Sequence, residues 1–259
     1  MLSIIIPSYK DPLLWKTIAS LLENARGEIE IIAVLDGYWP KEIPTTDPRV
    51  KILHLGKNQG MRRAINAGVF VSSGEFLMRT DEHAAFGKGY DVILTADCEP
   101  NWIITPRRYF LDPLTWKIMN IPPVDYMKLK IVRVGNGVRK FSGVEAAGNN
   151  EPIQESMAMQ GSCWVMRRSW WDKIIGELQN EGYGPHYQDS HEMVFKSWKA
   201  GGKLMVNKKT WHAHKHRDFP RTHHNGTKEN PSNNEACWAY SLKVWEDYYN
   251  NEIRPKWGM

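Results

Sequence analysis

The sequence predicts an α/β fold, a mostly parallel central sheet with helices on both faces. Two observations carry that expectation. Short apolar, β-branched runs alternate with segments of helical period from the first residues onward. Two of those runs lead into an aspartate, where buried strands of a parallel sheet reach its ligand-binding edge.

Ser3 to Pro7 is the first strand. Asp11-Pro12 opens a helix, with the carboxylate as cap and proline in the first turn. Leu13, Leu14, Ile18, Leu21 and Leu22 give that helix an apolar face to about Asn24. Glu30 to Leu35 is the second strand, stopped by Asp36-Gly37. Pro40 to Pro48 is a loop, and Val50 to Leu55 a third strand. Asn58-Gln59-Gly60 opens a helix to Val71. Phe76 to Met78 is a buried strand leading into Arg79-Thr80-Asp81-Glu82-His83. The second half is less regular. Asn101 to Pro106 predicts a strand, Pro122 to Val134 proline pairs and a short strand, and Val134 to Gln154 a glycine-rich loop or hairpin. Gln160 to Met166 predicts a strand and Arg168 to Leu178 a helix. Ser190 to Ala200 is a helix ended by Gly201-Gly202, and Lys203 to Val206 a strand. His212 to Asn234 is polar and His-rich, expected as a loop, and Glu235 to Tyr249 closes the chain as an aromatic amphipathic helix.

Composition narrows the function classes. Hydrophobic residues make up 42% and charged residues 24%, ordinary for a globular protein and unlike a disordered one. No apolar run approaches the roughly 18 residues of a membrane span. Cys98, Cys163 and Cys237 are odd in number and lack metal-ligand spacing, which fits a reducing compartment. The N-terminus shows no signal-peptide pattern, so a cytoplasmic location is expected. The net charge of +5 favours an anionic partner, whether nucleotide, phosphate or nucleic acid.

The candidate chemistry centres on Asp81 and His83. Positions i and i+2 of an extended chain point to one side, so this carboxylate and imidazole can converge on one divalent ion, Mn2+ or Mg2+. Two protein ligands leave positions open for a diphosphate. Asp36, at a strand end before Gly37, can accept from a base N–H or a ribose hydroxyl. Arg63 and Asn66 share a face near a helix start, a setting that suits a diphosphate. Asp189 precedes a helix and either caps it or faces a substrate hydroxyl. His212, His214 and His216 alternate in phase if the chain stays extended.

The order of these pieces resembles glycosyltransferases of the GT-A fold, in particular the catalytic domain of polypeptide GalNAc-transferases. Ser3 to Pro7 is similar to that family's first strand, and Ile31 to Asp36 to its strand ending in a uridine-binding aspartate. Asn58 to Gly68 resembles its arginine-bearing helix, matched at Arg63. Phe76 to His83 with Gly89-Tyr90 resembles its D-x-H metal motif and following Gly-Trp, and Gln160-Gly161-Ser162 its small-residue turn near the sugar. Asp189 to Trp198 resembles its Glu-Asn-x-Glu helix, and Trp211-His212 its Gly-His. Lys243 to Tyr248 is similar to its final helix.

The resemblance implies a nucleotide-sugar transferase whose donor is UDP-linked, acting with retention; an inverting relative would use Asp189 as general base instead. Asp81, His83 and His212 would hold Mn2+ or Mg2+. Pro7, Tyr9, Asp36 and Arg63 would bind the nucleoside side, Ser162 would lie near the sugar, and Lys215 would hold the diphosphate. Asp189 and Glu192 are the expected catalytic carboxylates. The acceptor would be a hydroxyl on a protein or a modified DNA base, with no membrane partner. Two departures stand out: Asp189 replaces the family's first Glu, and His186 stands three residues before it in place of an aromatic. A single GT-A domain over 1–259 is expected. Residues 1–105 form its nucleotide-binding half, 106–211 its acceptor-side half, and 212–259 a lid loop and closing helix. Two rivals start from the same residues: a metal-dependent hydrolase built on His212, His214 and His216, and a non-catalytic nucleic-acid-binding protein using the basic charge.

Overall fold

The structure, a computed structural model, describes residues 1–135, 137–216 and 234–259. Residues 217–233 of the expected lid lie outside the described residues. In the first half, β1 (Leu2–Ser8), β2 (Ile29–Asp36), β3 (Val50–Leu55) and β4 (Phe76–Thr80) lie side by side in the order β3-β2-β1-β4, all parallel. Every residue of β2 is buried, as a parallel strand covered on both faces must be. Alternation sorts its neighbours into two layers. Ile5, Ile32 and Val34 join Ala64 and Ile65 of α2 (Met61–Val71) on one face. Ile4, Ile6, Ile31 and Ala33 join Leu14 and Ile18 of α1 (Leu14–Asn24) on the other. Gly68 explains the seating of α2: a Cβ there would lie 2.5 Å from the Ile5 Cγ2 methyl.

After β4 come β5 (Ala84–Phe86) and α3 (Tyr90–Ala96). The sheet then continues through β6 (Trp102–Asp112), which spans the expected boundary at 105/106. β7 (Lys117–Ile118) pairs with β6, and β8 (Met127–Val134) with β9 (Val138–Glu145) forms a separate hairpin. β10 (Ile153–Glu155) is an edge strand. β11 (Cys163–Arg167) is wedged antiparallel between β4 and β6. β12 (Lys203–His214) lies parallel to β6. The mostly parallel sheet therefore carries antiparallel β5, β10 and β11.

Three elements differ from the sequence expectation. The helix expected over Arg168 to Leu178 is one turn, α4 (Arg168–Trp170), continued by a π-helical turn Trp171–Ile175 and stopped at Gly176, whose φ is +65°. The strands begun at Asn101 and Lys203 run on, as β6 to Asp112 and β12 to His214. Their ladder breaks once, between Asn207 and Trp211, beside Pro106, which has no N–H to give. Beyond that break the two strands re-pair, so His212 and His214 lie on an ordered strand and not at the start of a loop, with His216 just past its end. The chain continues from α5 (Asp189–Lys199) to α6 (Asn234–Tyr248), a π-turn Tyr249–Ile253 and α7 (Arg254–Lys256). Among the described residues, no helix is long and apolar enough to cross a membrane.

Candidate active site

A cleft of about 650 Å³ opens at the C-terminal ends of β4 and β12. Asp81, His83, Ser162, Asp189 and Lys215 line it, together with Arg79 and His214.

Strand register decides which histidine meets Asp81. β5 begins right after His83 and pairs antiparallel with the end of β12, placing His214 opposite Ala84 and His212 opposite Phe86. The Lys215 amide donates to the His83 carbonyl at 3.1 Å, closing the ladder. Ala84, Ala85 and Ala213 are buried, and their small side chains let the strands close. His214 Nε2 accordingly sits 2.9 Å from Asp81 Oδ2, with the His83 ring 4.9 Å from its own. One ligand atom from each of Asp81, His83 and His214 lies within 4.8 Å of the others.

The third position beside Asp81 and His83 thus belongs to His214, where the sequence reading placed His212. His212 points the same way one pair deeper, is 1% exposed, and shares a 3.0 Å hydrogen bond between its Nε2 and Ser162 Oγ. Bringing it to Asp81 would need a two-residue slip of β12 against both β5 and β6. The signal was present: in the Gly-His pair of the resembled family the residue before histidine is small, and here that residue is Ala213, not Trp211.

Charge in the cleft is arranged for a cation. Burial raises the Asp81 carboxyl, but Arg79 at 2.5 Å and the His214 contact override it and hold it well below the usual range. Burial pushes the His214 imidazole down to about 4 against the pull of Asp81, so it is neutral and ligand-competent at pH 7. His83 Nδ1 meets Asp11 Oδ2 at 3.0 Å, which leaves Nε2 as the ring's free ligand atom. Across the cleft Asp189 is 7% exposed, and its Oδ2 has no hydrogen-bond partner among the described residues.

The other candidates fall elsewhere. Asp36 is turned to the start of α2, where Oδ1 accepts from the Gln59 amide at 2.7 Å and Oδ2 from the Gly60 amide at 2.8 Å and Asn58 Nδ2 at 2.9 Å. Its three bonds hold the Asn58–Gly60 turn ahead of the helix, and the cleft lining does not include it. Arg63 is exposed; Arg62, one residue back and about 100° around the helix, is the buried one. Arg62 donates to the carbonyls of Gln179 and Tyr187 and is ion-paired with Glu192. Glu192, expected as catalytic, is 1% exposed, also pairs with Lys196 at 2.8 Å, and stays out of the cleft lining. Pro7 is half-buried at the end of β1. The Tyr9 amide donates to Glu82 at 3.1 Å, which ties that end of β1 to the metal-motif loop. Sequence reasoning passed over Arg79, Asp11 and Arg62; an arginine inside Phe-Leu-Met-Arg-Thr, two residues before Asp81, was the legible sign for the first.

This sheet, with its cleft at the strand ends, has the GT-A fold. Structure comparison agrees: the crystal structure of GalNAc-T7 with UDP, GalNAc and Mn2+ superposes with a TM-score of 0.74 at 16% identity, over 98% of this chain and 50% of that one. Staphylococcus aureus TarS, residues 1–349 with UDP-GlcNAc, superposes at 0.53 and 13% identity, over 85% and 59%. At such identities the likeness is one of fold, and this chain spans about half the length of GalNAc-T7. The sequence model of glycosyl transferase family 2 matches residues 3–175, and the chain belongs to that family.

Proposed function

We propose that this protein transfers a sugar from a UDP-linked donor to a hydroxyl acceptor in a reaction dependent on a divalent metal. The observation that carries the reading is the convergence of Asp81, His83 and His214 at the mouth of the cleft. A carboxylate and two imidazoles suit Mn2+ or Mg2+. Ligand atoms on a cation with bonds of about 2.1 Å stand roughly 3 Å apart, and the set needs only side-chain adjustment to reach that. GalNAc-T7, solved with UDP and Mn2+, and TarS, solved with UDP-GlcNAc, support the donor class.

The metal, when bound, neutralises charge on the departing diphosphate. The chain's own groups do the rest. Asp11 fixes the ring of His83, and Arg79 keeps Asp81 ionised. Lys215, in the cleft lining, adds a cation beside the metal ligands. Asp189, with an uncommitted oxygen, orients the sugar or the acceptor hydroxyl. We assign retention of anomeric configuration by likeness to the polypeptide GalNAc-transferases. The hydrolase alternative needs His212 and His214 together on one metal, away from Asp81; the 2.9 Å approach of His214 to Asp81 counts against it.

Thermal shift with UDP, with and without Mn2+, tests the reading. Stabilisation by UDP only in the presence of metal is expected. Equal shifts with and without metal, or none, would reject it.

A further inference from the structure

A second opening, a groove of about 680 Å³, lies where the edge of β8 left unpaired by β9 meets the C-terminal turns. Lys128, Lys130, Arg133, Arg139 and Arg254 line it, and Glu246 is the acid in that lining. The stretch 127–141 holds Lys128, Lys130, Arg133, Arg139 and Lys140 with no acid, so its charge equals the +5 of the whole sequence and the remainder balances. Lys128 and Lys130, two residues apart on a strand, project to one side about 6.7 Å from each other. Arg133 and Arg139 stand directly opposite in the β8–β9 ladder. Like charges in that relation destabilise a hairpin. Glu246 pairs with Arg139 and leaves the row strongly positive.

The hairpin also runs from the active cleft. Met127 and Glu145, its paired ends, line the cleft, and Lys128 begins the groove. We propose that the groove holds the phosphate backbone of a nucleic-acid strand that carries the acceptor hydroxyl. The proposal rests on the transferase reading and names its acceptor. Five cations lining one groove, Lys128, Lys130, Arg133, Arg139 and Arg254, suit a polymer of closely spaced phosphates. Recession into a groove fits one strand better than a flat bilayer face, and cations outnumber the apolar lining residues Ile131, Tyr249 and Met259, of which Tyr249 is buried with its hydroxyl committed to the Leu129 carbonyl.

Fluorescence anisotropy with a labelled single-stranded oligodeoxynucleotide of about 16 nucleotides, over a salt series, tests this. Wild type should bind with affinity falling linearly in log salt. The triple variant Lys128→Ala, Lys130→Ala, Arg133→Ala should bind at least about tenfold more weakly, with a salt slope shallower by about 2 for three lost contacts. Unchanged affinity and slope in the variant, or poly-glutamate or anionic vesicles bound as tightly as the oligonucleotide, would overturn it. The UDP and Mn2+ thermal shift, run on both proteins, separates the two readings. Shifts in both with no oligonucleotide binding sink the groove alone. Oligonucleotide binding as expected without a UDP shift sinks the transferase reading and leaves the groove's ligand standing.

Discussion

The carboxylates buried within the fold and those of the cleft differ in how fully the chain occupies them. Asp36 receives three hydrogen bonds from the start of α2. Glu30 receives Ser3, Lys51 and Ser73. Glu192 receives Arg62, Lys196 and the Gln179 amide. Their lone pairs are spent inside the fold, which is what burial of a charge demands. Asp81 and Asp189 are different. Asp81 takes one bond from Arg79 and one contact from His214, and Asp189 keeps a bare, buried oxygen. Sequence motifs do not separate these roles; hydrogen-bond occupancy does.

The largest effect should come from the open group. Asp81→Ala and His214→Ala should each lower turnover by more than about a hundredfold, beyond the 10–100-fold typical of outer-shell partners; the melting temperature stays near that of wild type in His214→Ala and falls in Asp81→Ala, which leaves the buried Arg79 without its carboxylate. His212→Ala should lose less Mn2+ affinity than His214→Ala, because its Nε2 serves Ser162. Titration of Mn2+ against the three variants checks this, and the reverse order would restore His212 as the ligand.

Glu192→Ala breaks the comparison from the other side. It leaves Arg62 buried without its carboxylate, which should remove about 3–5 kcal/mol of stability, read by urea denaturation. A stable variant with lost turnover would instead make Glu192 catalytic, as the sequence alone suggested.

How much of this was legible follows from the range of the forces involved. The strands and helices around Ile4, Ile32 and Ile65 were readable because local periodicity matches burial there. Asp81 and His83 were readable as a pair because both sit on one strand. Their third neighbour was legible only in the small Ala213 before His214, since the partner of Asp81 is chosen by the β5–β12 register, a long-range property to which the strand alternation of His212 and His214 is blind. Arg62 and Arg63 illustrate the same limit on a helix, where one residue decides between a buried ion pair and solvent. Gly68 was visible in its motif, but its reason is packing against Ile5.

Asp11 lies between the two classes, holding Leu13 N with one oxygen and His83 Nδ1 with the other. Asp11→Asn should weaken Mn2+ binding by about 10–100-fold, with Asp81 and His214 intact. Calorimetric Mn2+ titration checks it, and wild-type affinity would confine Asp11 to the turn before α1, whose N-cap is Leu13 and not the Asp11 expected from sequence.

Glu30 gives the smallest and most specific test of full occupancy. Burial raises its carboxyl, but the hydrogen bonds from Lys51, Ser3 and Ser73 outweigh that and bring it from 4.5 to about 2. The folded state therefore holds the ionised form more tightly than the unfolded chain does. Its contribution to stability is complete above about pH 4.5 and drains away as pH falls toward 2. Glu30→Gln keeps the shape and removes the charge. The stability gap between wild type and variant should be constant through neutral pH, narrow below 4.5 and nearly close at 2, followed by chemical denaturation at each pH. A gap that does not change with pH would mean that Ser3 and Ser73 hold an amide as well as a carboxylate, and that occupancy, not charge, is what the parallel half requires at this position.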